Sequence, residues 1–290
     1  MSAPVEIFEV GPRDGLQNEA RLIPTEEKVA LVDALSECGF ARIEPASFVS
    51  PKWVPQMADS GEVMARIMRA RNVQYWALTP NAQGLDRAIA AKMDGVAVFG
   101  AATEGFSRAN LNASVADSLA RFVPLVAEAR AHGVGVRGYV SVVTDCPFEG
   151  AVPPGAAADV AERLWQMGCT EISLGETLGK GLPERVDRML TAVLERVPAE
   201  ALAGHFHDTG GRALANIEVA LSHGMRVFDA SVGGLGGCPY APGAPGNVAS
   251  EAVDALVRGL GYETGLDAEK LARAGQMARD MRKGAVDGHA

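Results

Sequence analysis

Short runs typical of β-strands alternate with longer helical patterns along the chain, and this alternation limits the possible folds more than any other feature. VEIFEV, for example, is followed by the helical pattern PTEEKVALVDALSECG. Eight candidate strands begin at Val5, Ala41, Val73, Gly95, Gly135, Glu171, Ala201 and Arg226. Such a β-then-α alternation implies parallel strands joined by right-handed crossovers. We therefore predict an α/β fold, a (β/α)8 TIM barrel with additional C-terminal helices.

The pattern predicts a single catalytic domain over residues 1–290, because no proline- or serine-rich linker divides the chain. We expect the barrel at about residues 4–260 and the helical extension at about residues 261–285. A doubly wound open sheet is the alternative, but no G-x-G-x-x-G follows the first strand. In the first helix, we expect Thr25 to cap the N-terminus and Gly39 to end the helix.

Composition narrows the classes of function. A hydrophobic share of 48% with 22% charged residues is typical of a globular protein with a large core. The formal net charge of −9 argues against a broad nucleic-acid surface. Four cysteines without any C-x-x-C indicate reduced thiols and a cytoplasmic protein. We expect neither a targeting segment nor a membrane partner, because the sequence has no leader-like pattern and no long apolar run.

Two histidines one residue apart, His205 and His207, end the seventh candidate strand. Alternate residues of a strand point to the same side, so both rings would face one way. Neutral imidazole nitrogens bind divalent cations well. The alternative is a pair of core histidines held by hydrogen bonds, and the metal hypothesis needs carboxylate or amide partners elsewhere.

Polar residues collect where other strands end, on the face that carries the active site of such barrels. Arg13, Asp14 and Gln17 follow the first strand, Glu44 lies in the second, and Ser47 ends it. RDG would also satisfy an exposed turn. On the histidines' rim, however, Asp14 can add a hard oxygen ligand, a set that suits Mg2+ or Mn2+ better than a closed zinc site. Glu44 can orient Arg13 or a histidine.

A segment rich in glycine and proline, residues 233–247, follows the eighth strand. Glycines beside prolines are plausible hinges for a lid over a substrate. Cys238 lies in this segment and is a candidate acid or base, although a cysteine is more often a small buried hydrophobe. Asn247 is expected to begin the next helix, either as an N-cap or as a further oxygen ligand.

Seven segments together resemble the 3-hydroxy-3-methylglutaryl-CoA (HMG-CoA) lyase family: GPRDGLQNE, SFVSPKWVPQM, VFGAATEGFSRANLN, RGYVS, EISLGETLG, HFHDTGG and GGLGGCPYAPGAPGN. The resemblance covers nearly the whole chain. It implies a metal-dependent lyase barrel that cleaves HMG-CoA to acetyl-CoA and acetoacetate. It also implies an acyl-CoA substrate, a homodimer, and a place in leucine degradation and ketone-body metabolism.

The resemblance also assigns roles to residues. It implies that Mg2+ or Mn2+ is held by Asp14, His205, His207 and Asn247. Arg13 would face the thioester oxygen, and Cys238 would protonate the departing carbanion. The base for the C3 hydroxyl proton stays open among His205, Asp14 and Glu44. The substrate would be lined by Arg13, Gln17, Ser47, Asn110 and Thr177, and Lys52 or neighbouring basic groups would meet the phosphates of CoA.

The chain departs modestly from animal members of that family. Phe206 replaces a cysteine between the histidines, Glu176 replaces an aspartate, and Pro242 and Pro245 stiffen the glycine-rich segment. Phe206 should point away from the metal, whereas Glu176 is one methylene longer and could alter the substrate pocket or the groups behind the ligands. Three alternatives remain: a lyase for a larger 3-hydroxy-3-substituted glutaryl-CoA, an isopropylmalate- or citramalate-type condensing synthase, and a catalytically silent barrel that acts as a binding protein.

Overall fold

The computed structural model describes residues 4–238 and 241–283, without the side chains of residues 237–245 and 283. Eight parallel strands close into a barrel in which each strand pairs with its neighbours in the chain and β1 pairs with β8. The strands are β1 (Glu6–Glu9), β2 (Arg42–Ser47), β3 (Gln74–Leu78), β4 (Gly95–Ala101), β5 (Gly135–Ser141), β6 (Glu171–Glu176), β7 (Leu202–Phe206) and β8 (Val227–Ala230). The predicted TIM barrel and its eight strands are confirmed.

The barrel closes around β1, where Glu9 lies opposite Ala230 of β8 and Ile43 of β2. The pairing of β2 with β3 is irregular between Ile43 and Ala46. Pro45 lies in this gap, and proline cannot donate a ladder hydrogen bond, so the irregularity has a covalent cause.

Ten α-helices surround or extend the barrel within the described part of the chain. They are α1 (Thr25–Ser36), α2 (Ser60–Arg66), α3 (Ala82–Ala90), α4 (Glu104–Leu111), α5 (Val115–Ala131), α6 (Pro154–Met167), α7 (Pro183–Leu194), α8 (Ala213–Ser222), α9 (Ser250–Gly259) and α10 (Ala268–Lys283). Helix α10 lies within the predicted extension at about residues 261–285, whereas α9 lies within the range expected for the barrel. Helix α10 packs against α1 and the turn Val232–Gly234. Within these described helices, none is long and apolar enough to cross a membrane.

Of the two residues expected at the ends of α1, Gly39 lies where expected, but Thr25 does not cap the helix. Pro24, not Thr25, occupies the N-cap position, and no side-chain hydrogen bond caps the helix. The Thr25 hydroxyl instead donates to the Asp59 carboxylate at 2.7 Å. Gly39 follows the helix with a φ of 98°, and an added Cβ would lie 2.5 Å from the Gly265 carbonyl oxygen. Only glycine fits there, as expected for a helix end.

The inside of the barrel carries ion pairs, whereas the apolar core fills the space around it. Arg42 pairs with Glu6 at 2.5 Å and with Glu171 at 2.8 Å. The fully buried Arg137 continues the series, with Glu171 at 2.9 Å and Asp229 at 2.5 Å. Buried charges persist when they are paired. This column of charges connects the start of β1 with the polar residues at the C-terminal end of the barrel.

Candidate metal centre and active site

Asp14, His205 and His207 converge at the C-terminal end of the barrel. His205 lies in β7 and His207 directly follows it, while Asp14 lies in the single turn Gly11–Gly15 after β1. One potential ligand atom of each residue lies within 4.8 Å of those of the other two. Such a group of two imidazoles and a carboxylate can hold a divalent cation.

Asn247 joins this group from the far end of the glycine-rich segment. Its Nδ2 donates to Oδ2 of Asp14 at 2.8 Å. His207 and Asn247 also form an isolated antiparallel bridge, and the Asp208 amide donates to the Gly246 carbonyl at 2.7 Å. Asn247 precedes α9 by three positions and its cap is Ala249, so the expectation that Asn247 begins the helix is wrong. The structure nevertheless brings all four predicted ligands together.

A buried aspartate orients His205. Nδ1 of His205 lies 3.1 Å from Oδ2 of Asp229, which leaves Nε2 for the metal centre. Burial alone would raise the pKa of Asp229, but Arg137 and His205 hold it below its ordinary value. The pKa of His205 is shifted upwards, because the hydrogen bond and charge of Asp229 outweigh burial. This carboxylate behind a ligating ring is the usual support of metal-bound histidines.

His207 fits a metal ligand by its chemistry. Its Nδ1 is buried and has no hydrogen-bond partner among the residues that the structure describes. Burial and the nearby His205 lower its pKa to about 4, so the ring is neutral at physiological pH. A neutral imidazole with a buried free nitrogen beside a carboxylate suits a bound cation.

Arg13 stands between two carboxylates. It pairs with Asp14 at 2.6 Å and with Glu44 at 2.5 Å, and it is almost completely buried. Burial would lower its pKa, but the two carboxylates raise it above its ordinary value, so the guanidinium is permanently charged. The Tyr139 hydroxyl also donates to Glu44 at 3.2 Å, and the Arg13 guanidinium lies 5.5 Å from the Tyr139 ring centre. These contacts hold Arg13 beside the candidate metal ligands.

A cavity of about 790 Å3 opens from these residues to the surface. This volume is in the range of small-molecule sites. Among the predicted substrate-binding residues, the cavity is lined by Arg13, Gln17, Asn110 and Thr177. Ser47 is fully buried and does not line it, and its Oγ accepts from the Val49 amide at 3.4 Å. Glu44 is also fully buried behind Arg13, and among the described residues its hydrogen bonds go to Arg13 and Tyr139.

Comparison with known proteins places the chain in a family. The family model described as HMGL-like matches residues 4–278. The chain belongs to this HMGL-like family. A mitochondrial hydroxymethylglutaryl-CoA lyase of Bos taurus is 53% identical over 271 residues, covering 93% of this chain and 83% of the relative. A 3-hydroxy-3-isohexenylglutaryl-CoA/hydroxymethylglutaryl-CoA lyase of Pseudomonas aeruginosa is 55% identical over 272 residues, covering 94% and 91%.

A solved structure supports the same family assignment. The crystal structure of the HMG-CoA lyase from Brucella melitensis superposes with a TM-score of 0.97 at 55% identity, covering 98% of this chain and 100% of that one. The resemblance inferred from the seven sequence segments is confirmed.

Three further residues carry expectations from the sequence: Cys238, Phe206 and Glu176. The backbone of Gly237–Cys238 pairs with Ala241–Pro245, but the Cys238 side chain lies outside the described residues, so its role stays a prediction. Phe206 is buried in the outer core, away from the ligands, as expected. Glu176 is buried, and its Oε1 accepts from the Lys180 amide at 3.1 Å. Glu176 therefore shapes the loop after β6 and does not line the cavity.

Sequence reasoning missed the groups that support the site, namely Asp229, Tyr139 and Arg137. Each lies within a strand that otherwise reads as apolar, and Asp229 lies opposite His205 in the register of β8 and β7. For Arg137 and Asp229 the sequence did hold a signal. Both faces of a strand in a parallel sheet are buried, so a charged residue inside such a strand indicates a buried partner.

Proposed function

We propose that this chain cleaves HMG-CoA into acetyl-CoA and acetoacetate, with a divalent cation held by Asp14, His205, His207 and Asn247. The observation that carries the proposal is the grouping of the three possible ligands within 4.8 Å at the inner end of the cavity, with Arg13 beside them. The names of relatives more than 50% identical to this chain support the same reaction.

The reaction begins with the loss of the C3 hydroxyl proton, and the bond between C2 and C3 then breaks. When bound, a divalent cation supplies positive charge at the hydroxyl and lowers its pKa. Of the three candidate bases, Glu44 is the weakest, because it is buried behind Arg13 and does not line the cavity. Both ring nitrogens of His205 are engaged in this proposal, Nδ1 by Asp229 and Nε2 by the cation, so we assign the proton transfer to Asp14, which lines the cavity. Glu44 then acts by positioning Arg13.

Cleavage leaves acetoacetate, in which C3 is now a ketone, and the enolate of acetyl-CoA. Arg13 is suited to stabilise the negative charge on the thioester oxygen, because its guanidinium is always charged and rigidly held. The enolate carbon must then take a proton to become the methyl group of acetyl-CoA. We assign this proton to the Cys238 thiol.

A coupled assay for acetoacetate tests the proposal. Purified protein should turn over HMG-CoA with added Mg2+ or Mn2+, and a chelator should abolish turnover reversibly. No acetoacetate under any metal condition would exclude the lyase function. We keep Mg2+ or Mn2+ as the proposed cation, a homodimer as the proposed assembly and leucine degradation as the proposed pathway. The cytoplasm is the proposed location, although relatives include mitochondrial and cytoplasmic proteins.

A larger substrate is the second candidate, and one observation favours it. Beside the polar end, the cavity has an apolar wall that includes Val49, Leu78, Phe99, Phe106 and Phe122. Such a wall can bury a branched hydrocarbon in place of the methyl group on C3. The Pseudomonas aeruginosa relative is named for both substrates. Comparing kcat/KM for HMG-CoA and for 3-hydroxy-3-isohexenylglutaryl-CoA decides whether this chain accepts both.

A further inference from the structure

Helix α4 forms part of the cavity wall, although it has little buried surface of its own. Its residues Phe106, Asn110 and Leu111 line the cavity. Of the eight residues in the helix, only Ser107 is buried. A helix this short is marginal in water unless other parts of the protein pack against it. The position of α4 therefore depends on the contacts that other segments make with its ends.

A two-stranded hairpin follows β5. Its strands, Asp145–Cys146 and Gly150–Ala151, pair antiparallel, and we call residues 145–151 the β5 hairpin. Val142, which joins β5 to this hairpin, is fully buried and has a φ of 58°. A β-branched residue rarely adopts this conformation, and such strain persists only where the surrounding structure fixes it. The first hairpin residue also pairs with Arg185 of α7 at 2.5 Å, so the hairpin has a firmly held base.

Glu149 of the β5 hairpin holds the first turn of α4. Its Oε1 accepts from the Gly105 amide, one of the N-terminal amides that have no partner within a helix. The negative charge of the carboxylate also lies where the helix dipole favours it. A Cβ added to Gly105 would lie 2.8 Å from this oxygen and 3.1 Å from Cβ of Phe148. The hairpin and the helix are therefore in close contact.

Two further contacts connect the β5 hairpin to α4. The rings of Phe148 and Phe106 have their centres 6.4 Å apart. Thr103, the N-cap of α4, donates its hydroxyl to Sγ of the buried Cys146 at 3.1 Å. Because Phe106 also lines the cavity, the hairpin contacts a residue of the cavity wall directly.

We propose that Glu149 is a positioning residue of the active site, which holds α4 in place as a wall of the substrate cavity. Glu149 does not line the cavity itself and acts through the helix. Its kinetic effect rests on the proposed lyase function, whereas its contact with α4 does not. The proposed metal ligands Asp14 and His205 belong to β7 and to the turn after β1, so a shift of α4 leaves them in place. Glu149 therefore affects substrate binding and not the chemical step.

Steady-state kinetics test this separation. Glu149→Ala should raise the KM for HMG-CoA by about 2- to 30-fold, the range for loss of a helix cap, and leave kcat nearly unchanged. Glu149→Gln keeps an acceptor oxygen and should restore most of the wild-type KM. Glu62→Ala, which removes an exposed glutamate paired with Arg66, is the matched control and should change neither constant.

Two kinetic outcomes would overturn the proposal. A purely structural role of Glu149 would lower the folded fraction, so the apparent kcat of Glu149→Ala would fall while its KM stayed at the wild-type value. A KM as high in Glu149→Gln as in Glu149→Ala would show that the acceptor oxygen does not hold the helix.

Hydrogen exchange measured by mass spectrometry, without substrate, tests the contact itself. Amides of residues 104–111 should exchange about 2- to 30-fold faster in Glu149→Ala, while those of β7 exchange as in the wild type. Phe148→Ala, which removes the ring beside Phe106, should act in the same direction. Wild-type exchange of α4 in both variants would overturn the proposal. In a protein that forms no acetoacetate, faster exchange of α4 would support the role of Glu149 in holding the helix and contradict only the lyase function.

Discussion

Nδ1 of His205 lies 3.1 Å from Oδ2 of Asp229, directly opposite it in the register of two neighbouring barrel strands. Asp229 is itself fixed, since Arg137 donates to Oδ1 at 2.5 Å and the Ser173 hydroxyl donates to Oδ2 at 2.8 Å. The orientation of one proposed metal ligand is therefore set by side chains from three other strands. These supporting groups are as much a part of the site as the residues on the rim.

We predict that Asp229→Asn weakens the affinity for Mn2+ by about 10- to 100-fold, the usual cost of losing the group behind a ligating histidine. A loss of stability is also expected, because Arg137 would lose its buried carboxylate partner. Metal affinity should be measured by calorimetry below the melting temperature of the variant.

The control for this variant is Asp187→Asn, which alters a surface aspartate whose Oδ1 lies 2.8 Å from Nε2 of His223. It should leave metal affinity and activity unchanged. Wild-type affinity of Asp229→Asn for Mn2+ would contradict a supporting role for Asp229.

Arg13→Lys tests whether the geometry of the guanidinium, and not its charge alone, stabilises the enolate. Lysine keeps the positive charge but cannot pair with both Asp14 and Glu44 in the same planar arrangement. We expect kcat to fall by about 100-fold or more, as for the loss of an oxyanion donor. Arg66→Lys, at an exposed double ion pair, is the control. A variant with nearly normal kcat would remove Arg13 from the proposed role.

Cys238→Ala tests the proposed donor of the final proton. Turnover should fall by at least about 100-fold, the low end for loss of an acid–base group. Cys169→Ala is the control, because burial raises the pKa of that thiol to about 12 and it lies in the core, away from the cavity. Nearly normal turnover of Cys238→Ala would assign the proton to another group.

The barrel could be predicted from the sequence because each strand is an apolar run with a helix after it. The grouping of the candidate ligands could be predicted because two histidines at alternate positions define one strand face. Helix α4 was missed, since its eight residues lie between two stronger patterns and are half polar. Its N-cap, Thr103, accepts from the Phe106 amide and was a local signal for its start.

The supporting groups could not be predicted in the same way. Arg137 and Asp229 are 92 positions apart, and the sequence around either residue does not indicate that the two form a pair. Their pairing depends on strand order and register inside the barrel, which are properties of the closed sheet. Likewise, the burial of Ser47 follows from the way β2 packs against α2, where the Ser47 amide donates to the Ser60 hydroxyl oxygen at 3.1 Å.

Glu9 ties together three segments below the metal centre. Its Oε1 accepts from the amides of Gly11 at 2.8 Å and Val232 at 3.0 Å, and its Oε2 accepts from the Ser250 hydroxyl at 2.6 Å. Burial raises the pKa of Glu9 from 4.5 to about 7, although these three donors oppose the change. The folded protein therefore holds a proton that the unfolded chain releases between these two values. This contribution to stability is complete below about pH 4.5 and is lost as the pH rises to about 7.

Glu9→Gln should remove that pH dependence, because glutamine stays neutral and can still accept from both amides. From pH 4.5 to 7, the unfolding free energy of the wild type should fall relative to that of the variant by on the order of 3 kcal/mol. Urea denaturation over pH 4.5–8 measures this difference. Ser250→Ala, which keeps the carboxylate but removes a donor that lowers its pKa, should retain or steepen the dependence. Parallel profiles of the wild type and Glu9→Gln would show that Glu9 is ionised throughout, with its three donors outweighing burial.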